Sequence, residues 1–274
     1  MKIVTFKDFS EVTDPVKTEE VISSNLEEED LDTEYIYGRF PIADTINKHG
    51  LAAAQHAIQT LQQKEDSSKL FFVCQHILGD KLAFGDSRVF SPHASESNKF
   101  ISIPHSSCVE STSKAYAKDV VFSFMGDLNS HRVRYDMYNN FPHAVIPTNA
   151  WHYNKSPEEQ EGNKNMYSEV LRRSEYALCP RGTGISTIRL FECLSFGCIP
   201  IIIADGYVKP LEDSINWDDF SMHIEEKEVA SIPQRIEAFD KKKDPQLFWN
   251  EYCSKDNLHL SILENLREVA NGSI

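Results

Sequence analysis

Between Ala177 and Ile203 the chain reads ALCPRGTGISTIRLFECLSFGCIPIII, two apolar runs flanking a Gly-rich cationic turn and a mostly apolar middle. Tyr176–Cys179 reads as a short buried strand, Thr187–Phe196 as a helix and Cys198–Ala204 as an isoleucine-rich strand. A helix interposed between two buried strands implies a crossover, which joins parallel strands, whereas a tight turn would suffice for antiparallel ones. Parallel strands are covered on both faces, so this one stretch constrains the chain to the α/β class.

The same alternation continues elsewhere. Lys2–Phe6, Lys69–Ile77, Phe100–Pro104, Val120–Met125 and Phe220–Ile224 read as strands. Leu51–Gln63, with Ala54, Ile58 and Leu61 on one face, reads as a helix, as do His131–Asn140, Asn165–Ser174 and Pro233–Phe239. Pro245–Ala270 reads as one long helix carrying Leu258, Ile262 and Leu266 four apart. Thr18–Asp32 is polar and acidic and reads as a solvated helix face or loop. The 274 residues suit one large domain or two of about 100–150 residues. The least regular segment, His143–Gly162, suggests the boundary, giving an N-terminal domain over 1–150 and a C-terminal one over 151–274.

A formal charge of −14 argues against nucleic acid or an anionic membrane surface as the main partner. An anionic ligand must then be held by a local cationic pocket. No apolar run approaches the ~20 residues of a membrane span. The start, MKIVTFKDFSEV, lacks the apolar core of a secretory signal, so a cytoplasmic protein is expected. The six cysteines show no CxxC pair and no zinc-type spacing, as suits buried thiols in a reducing compartment.

In α/β units ligands bind beyond the carboxyl ends of the strands, where loops enter helix N-termini. Arg181-Gly182-Thr183-Gly184 is such a loop, followed by Ser186 and Thr187 at the helix start. Glycines admit a phosphate to the backbone amides, the helix end supplies free N–H groups, and Arg181 adds a guanidinium fork. Arg189 and Glu192, three apart, share a helical face. Two readings follow. Either the pair neutralise each other beside a simple turn, or the loop binds phosphate and the carboxylate receives the hydroxyls of a ribose.

The run from Arg172 through Ile224, RRSEYALCPRGTGISTIRLFECLSFGCIPIIIADGYVKPLEDSINWDDFSMHI, resembles the signature of the exostosin family, glycosyltransferase family 47. Phe124-Met-Gly126 and Arg134-Tyr-Asp-Met-Tyr138 are similar to further elements of that pattern, while Lys209 departs from it. The resemblance implies a GT-B fold, two Rossmann-like domains facing a cleft, and inverting transfer of a sugar from a UDP-sugar to a glycan. It implies that Arg181, Gly182, Thr183, Gly184, Ser186 and Thr187 line the diphosphate and uridine. Glu192 would hold the ribose, and Arg189 and Arg134 would neutralise the leaving diphosphate. Without a membrane anchor, the chain is similar to compact members found in large algal viruses. A neutral donor sugar, xylose first, is expected, because no basic residue is assignable to a uronate carboxylate.

Inverting transfer needs a base for the acceptor hydroxyl and positive charge for the departing nucleotide. The arginines supply the charge, so no essential metal is expected, and Asp30-Leu-Asp32 reads as acidic surface rather than a metal-binding DxD. His76 and Asp80, after an apolar strand, are the first candidates for the base, with His105, Asp86 and Asp127 behind them. Tyr207 is the first candidate to stack on the uracil or sugar, before Trp217 and Trp151. The last helix is expected to pack back on the N-terminal domain. Two other classes remain: a non-catalytic nucleotide-sugar binder, and an esterase in which Gly85-Asp86-Ser87 and Asp256-x-x-His259 provide nucleophile and base.

Overall fold

The computed structural model describes residues 1–6, 18–29, 33–111, 117–148 and 156–270. Asp30, Asp32 and Trp151 lie outside these residues. The chain forms two compact units, the first built from Met1–Ser106, Gly206–Ser214 and the residues from Glu251 onward, the second from Ser107–Asp205 and Ile215–Asn250.

In the first unit a parallel sheet runs in the spatial order β1 (Lys2–Thr5), β2 (Ile36–Arg39), β3 (Leu70–Val73), β4 (Arg88–Ser91) and β5 (Ile101–Ser102). Side chains alternate across a strand, and β3 uses both faces. Leu70 and Phe72 pack with Ile42 and Ile46 of α2 (Ile42–His49) and Ile58 and Leu61 of α3 (Leu51–Lys64). Phe71 and Val73 pack with Ile22 and Leu26 of α1 (Thr18–Glu28). Each such side chain contributes about 1.5–3 kcal/mol of burial. Gly50, at φ +83, makes the sharp break between α2 and α3 that a side chain would strain.

The acidic segment at Thr18 is thus a helix with a buried stripe, not a solvated face. Its Glu19 is buried too. The carboxylate accepts the backbone N–H of Ala43 at 3.2 and 3.1 Å and that of Gln75 at 2.8 Å, clasping the start of α2 to the end of β3. Glu19→Ala would strand both buried donors, so a loss of about 2–3 kcal/mol in urea unfolding is expected. An unchanged midpoint would show that water replaces the carboxylate.

The second unit carries a parallel sheet in the order β10-β9-β8-β6-β7, formed by β6 (Val120–Gly126), β7 (Val145–Pro147), β8 (Ser174–Pro180), β9 (Ile199–Ile203) and β10 (Met222–Ile224). Its helices are α4 (Arg132–Asn140), α5 (Pro157–Arg173), α6 (Ile188–Ser195), α7 (Ile232–Ala238) and α8 (Pro245–Phe248). Proline at the first turn and a capping box between Ser156 and Glu159 start α5. Leu178, Ile199, Ile201 and Ile203 pack in one cluster with Val133 and Met137 of α4 and Ile232 of α7.

The division between units falls at Ser106/Ser107 rather than near 150. The reason is strand pairing: β6 lies between β7 and β8, so 120–147 cannot belong to the first sheet. The expected long helix at 245–270 resolves into α8, a π-helical turn at Trp249–Cys253 and α9 (Leu260–Ala270). Leu258, Ile262, Leu263 and Leu266 join Ile22, Leu26 and Phe71 in the first unit's core. The chain is thus of the α/β class, with the two parallel-sheet units of a GT-B architecture. Among the described residues no helix is long and apolar enough to cross a membrane.

Candidate functional site

In the second unit β6, β8 and β9 end side by side at Gly126, Pro180 and Ile203. The loop 181–187 leaves β8 and enters α6, anchored where the Arg181 N–H donates to the Ile203 carbonyl at 2.9 Å. Two arginines meet under it. Arg134, in the first turn of α4, donates from Nε to the Arg181 carbonyl at 2.9 Å, from Nη1 to the Asp127 carbonyl at 2.9 Å and from Nη2 to the Pro180 carbonyl at 3.3 Å. Arg189, in the first turn of α6, donates from Nη2 to the Met125 carbonyl. Their guanidinium carbons lie 5.4 and 4.2 Å from the Phe124 ring centroid, within cation–π range.

Both side chains are buried, and among the described residues neither has a carboxylate within 4 Å. Burial, and then the neighbouring Arg189, hold the Arg134 guanidinium below its ordinary pKa. Among the described residues Arg189 Nε and the buried Ser186 hydroxyl have no partner. Thr187 precedes α6 in extended conformation without a side-chain cap bond, leaving its hydroxyl uncommitted to the helix. Gly126 and Gly182 make the close approach possible. A Cβ on Gly126 would stand 2.8 Å from Arg189 Nη2, and one on Gly182 3.1 Å from Arg134 Nη2. Two buried cations with no carboxylate within 4 Å among the described residues, a spare donor and a helix N-terminus form an arrangement that suits an anion.

The expected residues Arg134, Arg181, Gly182, Ser186, Thr187 and Arg189 therefore come together, with Thr183 and Gly184 on the open side of the loop. Glu192 does not join them as expected. It is 2% exposed, and its Oε1 accepts the N–H groups of Cys108 and Val109 at 3.0 and 3.4 Å, while its Oε2 accepts the Tyr167 hydroxyl at 2.8 Å. Burial raises its pKa against those donors and Arg189. The carboxylate is held by three donors of its own chain. Nor is there an ion pair with Arg189 within 4 Å among the described residues, so the simple pairing is absent as well.

Tyr207 also departs from expectation. It groups with the first unit, is 4% exposed and bridges to Ser95 through its backbone, so its ring offers no open face. Trp217 is core, packed on Phe248 at 4.7 Å between centroids. Of the base candidates, His76 accepts the Leu78 N–H through Nδ1 at 3.1 Å and so carries its proton on Nε2, 3.1 Å from Asn47 Oδ1. Burial lowers its pKa. Asp80 is exposed, with Lys81 at 3.3 Å. His105 is buried edge-to-face with His93, its pKa driven well below the ordinary value by burial and then by that neighbour. Asp127 binds both nitrogens of Asn129 at 2.9 Å as a turn residue, and Asp86 is exposed. The esterase reading finds no support in this geometry. Ser87 accepts from Gln62 at 3.0 Å and His259 contacts Glu29 at 2.9 Å, with no bond between the two among the described residues.

One residue escaped sequence reasoning. Glu226, after β10, places Oε1 3.7 Å from Arg181 Nη1. Nothing in its spacing marked it, because the sheet order, not the chain, brings β10 to this edge.

A model of the exostosin GT47 domain matches residues 51–239. The Exostosin-1 homolog of Caenorhabditis elegans is 28% identical over 90 residues, 33% of this chain and 24% of that protein. The probable beta-1,4-xylosyltransferase IRX10L of Arabidopsis thaliana is 38% identical over 96 residues, 30% of this chain and 23% of that protein. The match thus spans about a quarter of the length of these two relatives. Among solved structures, TarM aligns at a TM-score of 0.40 and 9% identity, over 78% of this chain and 57% of that one. With the family model spanning most of both sheets and the whole strand–loop–helix site, the chain belongs to the exostosin family, glycosyltransferase family 47.

Proposed function

We propose that the protein transfers a sugar from a UDP-sugar to a glycan hydroxyl with inversion, and needs no divalent metal to do so. The observation that carries this reading is the pair of buried arginines, Arg134 and Arg189, without a carboxylate within 4 Å among the described residues. A diphosphate would bring negative charge to this pair, and its oxygens suit the N–H groups of α6 and the guanidinium of Arg181. As the bond to the sugar breaks, negative charge grows on the departing phosphate, and the two buried guanidiniums would stabilise it through their charge in a desolvated setting. The second unit then binds the donor and the first the acceptor, in the cytoplasm.

The acceptor hydroxyl must lose a proton as its oxygen bonds to the sugar. Asp80 keeps free acceptor capacity for that step, whereas His76 has both ring nitrogens engaged. A neutral donor such as UDP-xylose is the first choice, because no cation among the described residues has been assigned to a uronate.

A UDP-release screen over a panel of UDP-sugars, with and without EDTA, tests the reading. Turnover of one donor, unchanged by EDTA, is expected. Absence of UDP binding would overturn the donor site. Tight UDP binding with no turnover on any glycan would favour a non-catalytic binder. Loss of activity in EDTA would restore a metal to the reaction.

A further inference from the structure

Glu226 stands where β10 leads into the 3₁₀ turn Glu226–Ser231. Its backbone N–H donates to Asp205 Oδ1 at 2.8 Å, and its Oε1 accepts the Asp205 N–H at 3.4 Å. This reciprocal clasp fixes it beside the carboxyl end of β9. Its Oε1 lies 3.7 Å from Arg181 Nη1 and its Oε2 3.7 Å from His131 Nδ1. Neither distance is that of a hydrogen bond.

An ionised carboxylate offers about four acceptor positions. Glu226 fills one of them, with a long bond, and its side chain is 21% exposed. Glu192 presents the opposite case, buried and holding three donors. Among the described residues Glu226 is the carboxylate within 4 Å of a guanidinium of this site. An acceptor-rich, part-exposed carboxylate cannot be there for the diphosphate, which it repels. It suits a ligand group with two O–H donors spaced to reach its two oxygens.

We propose that Glu226 binds a vicinal diol of the nucleotide-sugar, and that its loose ion pair with Arg181 sets that arginine at the edge of the phosphate site. The inference rests on the donor reading above. A ribose and a transferred sugar both carry such diols, and the ligands chosen separate them.

Binding of UDP, 2′-deoxy-UDP and UDP-xylose would be measured by calorimetry on the native chain and on Glu226→Gln, which keeps the shape and loses the charge. The native chain is expected to prefer UDP over 2′-deoxy-UDP by about 10–100-fold, the scale of hydrogen bonds to a charged group. Glu226→Gln should bring that ratio near one while holding 2′-deoxy-UDP within about 3-fold of native, since the phosphate contacts remain. If the ribose ratio survives but the advantage of UDP-xylose over UDP collapses in Glu226→Gln, the diol is that of the sugar and the proposal stands. Both ratios unchanged in the variant overturn it, as does equal tightening of all three ligands, which would mean that Glu226 only competes for Arg181. The native chain gives an independent reading. No loss on removing the ribose 2′-hydroxyl, and no gain from the sugar, also overturns it. Failure of native protein to bind UDP at all would instead strike the donor reading, and this inference with it.

Discussion

Arg189→Ala is expected to slow sugar transfer by about 10²–10³-fold, the usual cost of one preorganised donor facing a developing anion. Of the two buried arginines of the site, Arg189 has the less structural work to do. It spends Nη2 on the Met125 carbonyl and leaves Nε without a partner among the described residues. Arg134, by contrast, binds three carbonyls from two loops, so its removal would loosen the site as well as discharge it. Arg189→Lys keeps a charge but loses the fork, and should recover only part of the rate. The rate is read as kcat on the donor found in the screen, beside UDP affinity. Native kcat and native UDP affinity in Arg189→Ala would remove the arginine pair from the mechanism.

Glu192→Ala is expected to cost about 3–5 kcal/mol of stability, more than any effect of its charge on ligand binding. Truncation strands the Tyr167 hydroxyl and the Cys108 and Val109 N–H groups and removes a carboxylate that favours the buried Arg189. Glu192→Gln keeps an acceptor in place and should lose no more than about 1 kcal/mol. The pH dependence has a definite sign. Burial raises the folded pKa of Glu192 above its ordinary 4.5. The stability gained by protonating it is therefore complete below the unfolded value and is lost as pH rises through the folded one. Native protein should accordingly lose ground to Glu192→Gln as pH rises above the ordinary carboxylate range, which melting curves of both proteins across that range would show. A variant Glu192→Ala that melts like the native chain but cannot bind UDP would return Glu192 to the ligand.

The second unit was legible where strands are long enough to carry a pattern. Ser174–Pro180, Ile188–Ser195 and Ile199–Ile203 fall where the apolar runs and the Gly-rich turn put them. In the first unit Ile36–Arg39 and Arg88–Ser91 escaped notice, because a four-residue strand shows at most two alternations. Thr18–Glu28 was obscured by its acids, since Ile22 and Leu26 supply its whole buried apolar stripe. Glu192 looked like a ligand residue because a carboxylate on an apolar helix needs donors. Those donors lie more than eighty residues upstream, at Cys108 and Val109, and no local spacing reports them. The boundary was missed for a related reason. Irregular sequence at 143–162 marks a connection within a sheet, and only the pairing of β6 with β8 reveals which sheet.

The first unit's core has a consequence for the order of assembly during synthesis. One face of its sheet is covered by Ile22 and Leu26 of α1 from early in the chain and by Leu258, Ile262 and Leu266 from residues after Asn250. The second unit, which begins at Ser107, has all its strands and its own core by Asn250. On the ribosome the unit that starts later is therefore the first that can be finished. The earlier one waits with that face covered by α1 alone until α9 emerges, and part-exposed strand faces of that kind are where chaperones and aggregation compete.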